Sequence, residues 1–251
     1  MKLDTGKWKL AHMVIGVIIA AGGIGRRMQA GGSKQLLSLM GKPVLAHTVS
    51  LFEELDMVSE IVIAIDPGDV ARCRREVVEQ FGLSKVTAVV PGGESRAESV
   101  GKALAAISTS IDVVLVHDGA RPLLSADLLR RGLRDFDDGS CDGVVFGLPV
   151  TDTIKEVGIN SRLVTRTPDR SRFWAAQTPQ IFKRDILEKA YSAAPDALAQ
   201  ATDDASLVER IGGWVRMVPG SRENIKLTDP FDLQLAETIL RNREESTEVT
   251  T

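Results

Sequence analysis

The chain has 251 residues, of which 43% are hydrophobic, and its 31 basic and 34 acidic side chains give a net charge of −3. A chain of this length can bury one large core, which predicts a single α/β domain or a domain with a small appendage. The slightly acidic balance argues against binding to nucleic acid or to a membrane surface, and it leaves phosphate binding to local clusters of basic residues.

The cysteine and histidine content argues against a disulfide framework and a zinc site. Cys73 and Cys141 lie far apart, outside any C-x-x-C spacing, and the three histidines are widely separated. We therefore expect reduced thiols and no metal site made by protein side chains. The apolar run over residues 13–21 is too short to span a bilayer, which favours the cytoplasm, a short targeting leader being the alternative.

Short β-branched runs alternate with helical patterns through the first 150 residues. The predicted strands are residues 14–21, 61–65, 87–90, 113–116 and 144–148. The predicted helices are residues 44–55, 70–81, 100–107 and 128–136, the last with Ser125 as its N-cap. This alternation is typical of an α/β fold with a Rossmann-like, mostly parallel twisted sheet flanked by helices.

The pattern changes over residues 150–173, which are polar and interrupted by Gly158, Asn160 and Pro168. Short alternations of apolar and polar residues on both sides of this interruption predict a projecting hairpin arm. A segment of this length without core periodicity usually has a functional reason.

Regular packing is predicted again from Trp174 onward. We expect helices over residues 183–192 and 204–211, a strand over residues 215–218, and a last helix capped by Thr228. The predicted organisation is an N-terminal extension over residues 1–13, one domain over residues 14–243 that includes the arm, and a polar tail over residues 244–251.

The first predicted strand enters a glycine-rich loop over residues 20–28, and Lys34 follows six residues later. Glycines let backbone N–H groups approach a triphosphate, and Arg27 and Lys34 can neutralise the charge that grows during phosphoryl attack. The loop lacks G-x-x-x-x-G-K-[ST], and Met28 stands where a dinucleotide fingerprint needs Gly or Ala. The alternative is an ordinary tight turn with solvated basic side chains.

Two further segments place polar groups after predicted strands. Asp118 ends the fourth strand, where parallel sheets present ligand-binding groups; it could orient a hydroxyl or a magnesium-phosphate unit, or it could cap the turn and pair with Arg121. Residues 91–100 form a glycine-rich entry to a helix, whose amides and Ser99 could contact a base edge or a phosphate. A capping loop is the alternative there.

Eight motifs in one order carry a family resemblance. They are A-A-G…G-R-R-M…K, G-G-x-x-R-A-x-S-V, V-H-D-x-A-R-P, D-T-I-K, T-P-x-R, Q-T-P-Q-x-F, T-D-D-A-S and E-N-I-K-L-T. Together they resemble the 2-C-methyl-D-erythritol 4-phosphate cytidylyltransferases of non-mevalonate isoprenoid biosynthesis over most of the chain. The resemblance implies a nucleotidyltransferase-type fold and transfer of CMP from CTP to a polyol phosphate.

The resemblance also implies roles for individual residues. Arg27 and Lys34 match the pair that stabilises the transition state, and Arg170 and Lys226 match the residues that position the acceptor for attack. The residues implied to hold CTP are Ala20, Ala21, Gly22, Gly23, Gly25, Gly93, Glu94, Arg96, Ser99 and Asp118. The residues implied to bind the polyol phosphate are Asp118, Thr153, Arg170, Thr202 and Lys226. The first loop carries one residue more than the family pattern, which leaves the choice between Gly22 and Gly23 open.

The resemblance further implies a Mg²⁺ ion held mainly by the CTP phosphates. We expect a homodimer in which the arms share the active sites. The closest rival activity is that of a ribitol 5-phosphate cytidylyltransferase. A non-catalytic nucleotide-binding protein on the same fold is a third alternative, and it predicts loss of Arg27, Lys34 or Lys226, all of which are present.

Overall fold

The computed structural model describes residues 13–22, 33–193, 198 and 200–248. Within these residues a seven-stranded sheet forms the centre of the molecule. Its strands are β1 (Ile15–Ala21), β4 (Val58–Ile65), β5 (Val86–Pro91), β6 (Val113–Asp118), β7 (Gly143–Pro149), β10 (Trp174–Lys183) and β11 (Val215–Pro219). Two short strands, β2 (Ser38–Leu39) and β3 (Lys42–Pro43), pair separately.

The strand order is β11-β7-β10-β6-β1-β4-β5, and β10 runs antiparallel to both of its neighbours. The other neighbouring pairs of this sheet are parallel. Ala20 of β1 lies beside Asp118 of β6, and Ile65 of β4 lies beside Pro91 of β5. The carboxyl ends of these four strands therefore meet at one edge of the sheet.

Helices cover both faces of the sheet. They are α1 (Val44–Glu53), α2 (Val70–Cys73, continued by π-helical turns over Arg74–Glu79), α3 (Arg96–Ala106), α4 (Ala126–Asp137), α5 (Arg184–Ala193), α6 (Asp204–Arg210) and α7 (Pro230–Glu248). One core cluster joins α1, α2 and α4 to the sheet, and a second joins α3, α5 and α6 to its other face. A third, smaller cluster packs α7 against Leu39 and Val44. No helix in the described part of the chain is long and apolar enough to cross a membrane.

The predicted strands and helices are confirmed, with three corrections. Strand β10 was not predicted as a strand, although it lies inside the sheet. The last helix continues to Glu248, so the segment after Arg243 is helical at its start. The N-cap of that helix is Asp229 and not Thr228: Asp229 Oδ1 accepts bonds from the amides of Phe231 and Asp232, at 2.9 and 3.1 Å.

The predicted hairpin is present between β7 and β10. Its strands are β8 (Glu156–Val157) and β9 (Val164–Arg166), which pair antiparallel, and a 3₁₀ turn over Arg170–Arg172 leads into β10. Ile159 at its tip is 97% exposed, and Leu163 and Val164 are 71% and 58% exposed. The arm therefore presents apolar side chains to solvent.

Candidate active site

A cleft of about 380 Å³ lies at the edge where β1, β5 and β6 end. Its lining residues are Ala20, Gly22, Lys34, Gln35, Gly93, Glu94, Ser95, Arg96, Ser99, Asp118, Ala120, Lys226 and Thr228. Seven of the CTP-binding residues implied by the sequence line this cleft, and Ala21 is a buried neighbour on β1. The sequence expectation therefore points to one contiguous site.

A second cleft, of about 210 Å³, adjoins the first because both include Arg96, Asp118 and Lys226. It extends along β10 towards the start of α6, where Thr202 lies in its wall. Three implied acceptor-binding residues, Asp118, Thr202 and Lys226, thus come together. The two clefts form a continuous surface, which suits two substrates that must react with each other.

Asp118 is the electrostatic centre of this surface. Its carboxylate lies 3.0 Å from Arg96 Nε, 2.9 Å from Lys226 Nζ and 3.4 Å from Arg121 Nε. Burial alone would raise the pKa of Asp118, but the charges of Arg96, Lys226 and Arg121 outweigh it and hold the pKa well below its usual range. The predicted Arg121 pairing is therefore present, but it is one contact of three.

Arg96 bridges two buried carboxylates. Its Nε donates to Asp118 and its Nη1 donates to Asp204 at 2.8 Å, while Nη2 is buried and has no hydrogen-bond partner among the described residues. Burial would lower the pKa of Arg96, but Asp204 and Asp118 raise it above its usual value. Arg96 therefore carries a fixed positive charge between the two clefts.

Behind Asp118 lies a buried chain of neutral hydrogen bonds. Thr178 Oγ1 accepts from the Asp118 amide at 3.0 Å and lies 3.0 Å from His117 Nδ1, while His117 Nε2 lies 3.1 Å from the Arg121 carbonyl oxygen. A carbonyl can only accept, so Nε2 donates and Nδ1 accepts the Thr178 proton. Burial lowers the pKa of His117 to about 4, which keeps this ring neutral.

The loop before α3 is held by its own side chains. The Gly93 amide donates to Ser99 Oγ, the Glu94 amide donates to Glu98 Oε2, and the Glu98 amide donates to Ser95 Oγ. Ser95 is the N-cap of α3, and Glu98 accepts from the amide one residue before the cap, so the arrangement is a variant of the capping box. The capping alternative is thus correct for these amides, while the loop still supplies Gly93 and Ser99 to the cleft wall.

Lys34 lines the first cleft and begins a 3₁₀ turn over Lys34–Leu36. Its Nζ donates to the Leu227 carbonyl oxygen at 2.7 Å. Leu227 follows Lys226 directly in the chain, so this bond joins Lys34 to the segment that carries Lys226. Gly23, Gly25 and Arg27 lie outside the described residues. The structure therefore places one member of the predicted basic pair.

Thr153 and Arg170 lie away from the two clefts. Both are exposed on the arm, and neither lines the two clefts. Arg170 Nη1 instead donates to the Thr151 carbonyl oxygen at 2.6 Å.

The side chains of the described residues form no cluster of metal ligands. Among the described residues, no group of three or more His, Cys, Asp or Glu could hold a metal ion. Asp118 is committed to three cations, which leaves the exposed Glu94 as the acidic side chain facing the first cleft. This donor set fits an ion that arrives with its own phosphate oxygens.

Several site residues were not singled out from the sequence. Asp204, Tyr191, Thr178 and Asn224 all take part in the buried network. Asp204, Thr178 and Asn224 lie within motifs that carry the family resemblance, T-D-D-A-S, Q-T-P-Q-x-F and E-N-I-K-L-T. Tyr191 is the chain's only tyrosine, and no motif marked it.

Comparison with known proteins gives one result. The family model of 2-C-methyl-D-erythritol 4-phosphate cytidylyltransferase (IspD) matches residues 14–242. The chain belongs to this family. The cytidylyltransferase of Symbiobacterium thermophilum is 48% identical over 226 residues, which cover 90% of this chain and 92% of that protein. That of Alkaliphilus oremlandii is 40% identical over 230 residues, covering 91% and 96%.

Solved structures of cytidylyltransferases of this family share the fold. The enzyme of Thermus thermophilus superposes with a TM-score of 0.72 at 32% identity, covering 91% of this chain and all of the other. The 4-diphosphocytidyl-2C-methyl-D-erythritol synthase of Anaerococcus prevotii gives 0.77 at 26% identity, covering 91% and 96%. The family assignment and the predicted fold class are therefore confirmed.

Proposed function

We propose that this chain transfers CMP from CTP to 2-C-methyl-D-erythritol 4-phosphate, giving 4-diphosphocytidyl-2-C-methyl-D-erythritol and pyrophosphate. The observation that supports it most is the pair of joined clefts around Arg96, Asp118 and Lys226. Four basic side chains, Lys34, Arg96, Arg121 and Lys226, line these clefts beside the acidic Glu94, Asp118 and Asp203. A local cluster of basic side chains of this kind suits phosphate groups.

The chemistry asks for positioning and charge stabilisation. An oxygen of the acceptor phosphate attacks the α-phosphorus of CTP in line, a new P–O bond forms, and pyrophosphate leaves with the electrons of the broken bond. A phosphate monoester is already an anionic nucleophile near neutral pH, so the protein needs no general base. This agrees with His117, whose two ring nitrogens are both occupied inside the core.

We assign the charge-stabilising role to Lys34 together with Arg27, and the acceptor-binding role to Lys226 with Thr202 beside it. Lys34 and Lys226 both line the first cleft, and Lys226 is shared with the second. Ala20, Gly22, Gly93 and Ser99 would hold the nucleotide. Selection of cytosine is assigned to residues 92–99, of which Gly93, Glu94, Ser95, Arg96 and Ser99 line the first cleft.

Mg²⁺ would be held by the CTP phosphates, and Glu94 is an exposed carboxylate in the lining of the first cleft. When bound, the ion neutralises phosphate charge and polarises the phosphoryl oxygens. The protein side chains, chiefly Lys34 and Arg27, supply the remaining positive charge.

We also propose a cytoplasmic homodimer in which each arm completes the neighbour's site. Arg170 and Thr153 are exposed on the arm and away from their own clefts. The apolar side chains Ile159, Leu163 and Val164 on the same arm would be buried by a second copy. The two buried free cysteines suit a reducing compartment.

Pyrophosphate release tests the activity directly. We expect release only when CTP, methylerythritol phosphate and a divalent metal are present together, and much less with UTP. Ribitol 5-phosphate is the matched control acceptor, because it is also a small polyol phosphate. Equal rates with the two acceptors would reject the acceptor assignment, and no release with any acceptor would support a non-catalytic nucleotide-binding protein instead.

A further inference from the structure

Asp204 is a completely buried carboxylate outside the sequence-predicted site. Its side chain has no exposed surface, and it is the first residue of α6. One oxygen accepts from Tyr191 Oη at 2.6 Å, and the other accepts from Arg96 Nη1 at 2.8 Å. Because burying a carboxylate costs several kcal/mol before its partners compensate, its presence calls for a specific reason.

The surroundings of Asp204 fix its position tightly. Asp203 caps α6 by accepting from the Ser206 amide, and the Ala205 amide donates to Gln180 Oε1 on β10. Tyr191 comes from α5 and Arg96 from α3, so three helices meet at this carboxylate, and β10 holds the start of α6 beside it. The burial of Tyr191 and the charge of Asp204 raise the pKa of the Tyr191 hydroxyl, which keeps it protonated and donating.

Asp204 also determines how Arg96 is held. A guanidinium bound at Nε alone can rotate about its long side chain, whereas bonds at Nε and Nη1 fix its plane. The remaining nitrogen, Nη2, is buried and has no partner among the described residues, although Arg96 lines both clefts. Nη2 is therefore enclosed by the protein, and Arg96 reaches the second cleft through its bond to Asp118.

We propose that Asp204 is a positioning residue for the acceptor phosphate, acting through Arg96. Asp204 fixes Arg96, Arg96 holds Asp118, and Asp118 holds Lys226 at the wall of the second cleft. Thr202, two residues before Asp204, lies in the same wall. The inference rests on the proposed function, because it assigns the second cleft to the polyol phosphate and the first to CTP.

The test is Asp204→Asn. Asn keeps the shape of the side chain but carries no charge, so Arg96 loses its charge-assisted bond to a carboxylate whichever way the amide turns, because Tyr191 Oη can accept as well as donate. We expect the KM for methylerythritol phosphate to rise about tenfold, the change that loss of one charge-assisted hydrogen bond gives. The KM for CTP should rise less than the acceptor KM, although Arg96 also lines the first cleft, and the kcat at saturating acceptor should change less than about threefold.

Two controls separate positioning from stability. Asp142→Asn removes another carboxylate that pairs with a lysine and accepts a backbone amide, but Asp142 lies at the opposite end of the sheet. It should lower the melting temperature and leave both KM values unchanged. Tyr191→Phe keeps the Asp204–Arg96 pair and should raise the acceptor KM less than Asp204→Asn does.

A double-mutant cycle with Arg96→Ala tests whether Asp204 acts through Arg96. If Asp204 acts through Arg96, Asp204→Asn should cost nothing further in acceptor KM once Arg96 is gone. Additive effects, or equal changes in the two KM values, would overturn the inference while leaving the activity of the parent enzyme established. An inactive parent enzyme would instead reject the proposed function.

Discussion

His117 shows how burial sets a protonation state beside the charged site. Its ring packs edge-on against Phe52 at 5.4 Å between centroids, and both nitrogens are hydrogen-bonded. Protonation at Nδ1 would break the bond that this nitrogen accepts from the Thr178 hydroxyl and would put a positive charge where the ring has no exposed surface. The folded protein therefore resists protonation of His117, whose pKa burial lowers to about 4.

This pKa predicts a pH dependence of stability. The unfolded histidine titrates near pH 6.5, so below that pH the unfolded state binds more protons and the free energy of unfolding falls as the pH drops. We expect a loss of about 2 kcal/mol between pH 7.5 and pH 5, measured by urea unfolding. Asp118, whose pKa is lowered, contributes acid sensitivity only below about pH 4.

His117→Gln is the control, since glutamine does not titrate. It should be less stable at pH 7.5 and should lack this part of the pH dependence. An identical pH dependence in the parent protein and the variant would show that His117 is not the group responsible.

Single residues of the site could be predicted, but their partners could not. Residue type and motif point to Asp118 and Lys226, yet these two residues are 108 positions apart and come together only in the folded chain. Asp204 pairs with Arg96 across a similar distance. Nothing local in either segment encodes these ion pairs. The sequence therefore allows Asp118 to be a turn cap or a binding group, and only the fold shows that it contacts three cations.

At the scale of elements, close packing decides where helices can sit. Gly132 lies on the inner face of α4, and a Cβ there would overlap Cζ of Phe146 and lie 2.8 Å from its Cε1. Phe146 is fully buried on β7. The glycine thus allows the helix to approach the sheet over an aromatic ring.

Gly132→Ala should therefore destabilise the fold despite the better helix propensity of alanine. We expect about 1–3 kcal/mol, the usual cost of overpacking, measured by urea unfolding. Gly101→Ala is the matched control: it is also helical, but its nearest contact would be Tyr191 Cδ1 at 3.2 Å. Equal effects of the two substitutions would contradict the packing argument.

The same scale explains which elements the sequence predicts. Strands buried on both faces, such as β1 and β6, have continuous apolar runs, and amphipathic helices have a clear period. Strand β10 escaped prediction because its sequence, W-A-A-Q-T-P-Q-I-F-K, contains a proline and several polar residues. Gln177, Thr178 and Gln180 are buried there because they hydrogen-bond to site segments, which a hydrophobic pattern cannot reveal.

At the scale of the whole molecule, the arm exposes apolar side chains and carries Thr153 and Arg170 away from the two clefts. The arm's hairpin is short, with paired strands of two and three residues. Pairing of two copies would bury Ile159 and Leu163 and bring Arg170 and Thr153 to the other cleft.

Subunit mixing tests this arrangement. Lys34→Ala should lower kcat about 10²-fold, as expected when a preorganised charge is removed, and Arg170→Ala should also be nearly inactive. In a mixed dimer, one site carries both defects, while the other combines an intact Lys34 with the neighbour's intact Arg170. Random exchange of equal amounts should restore activity to about a quarter of the sites.

Each protein incubated alone under the exchange conditions is the control. If Arg170 serves its own subunit, every site keeps one defect, and mixing restores nothing. That result would reject the shared site even for a protein that proves dimeric.

The position of β10 also sets the order in which the chain can be completed on a ribosome. Strands β6 and β7 are separated in sequence only by α4 and its flanking turns, but in the sheet β10 lies between them. A nascent chain ending at Pro149 can form β6-β1-β4-β5, while β7 has no partner and β6 is an open edge. Such edges invite pairing with other chains until the arm has emerged and β10 follows. A longer arm therefore lengthens the time during synthesis in which the edges of β6 and β7 are unpaired.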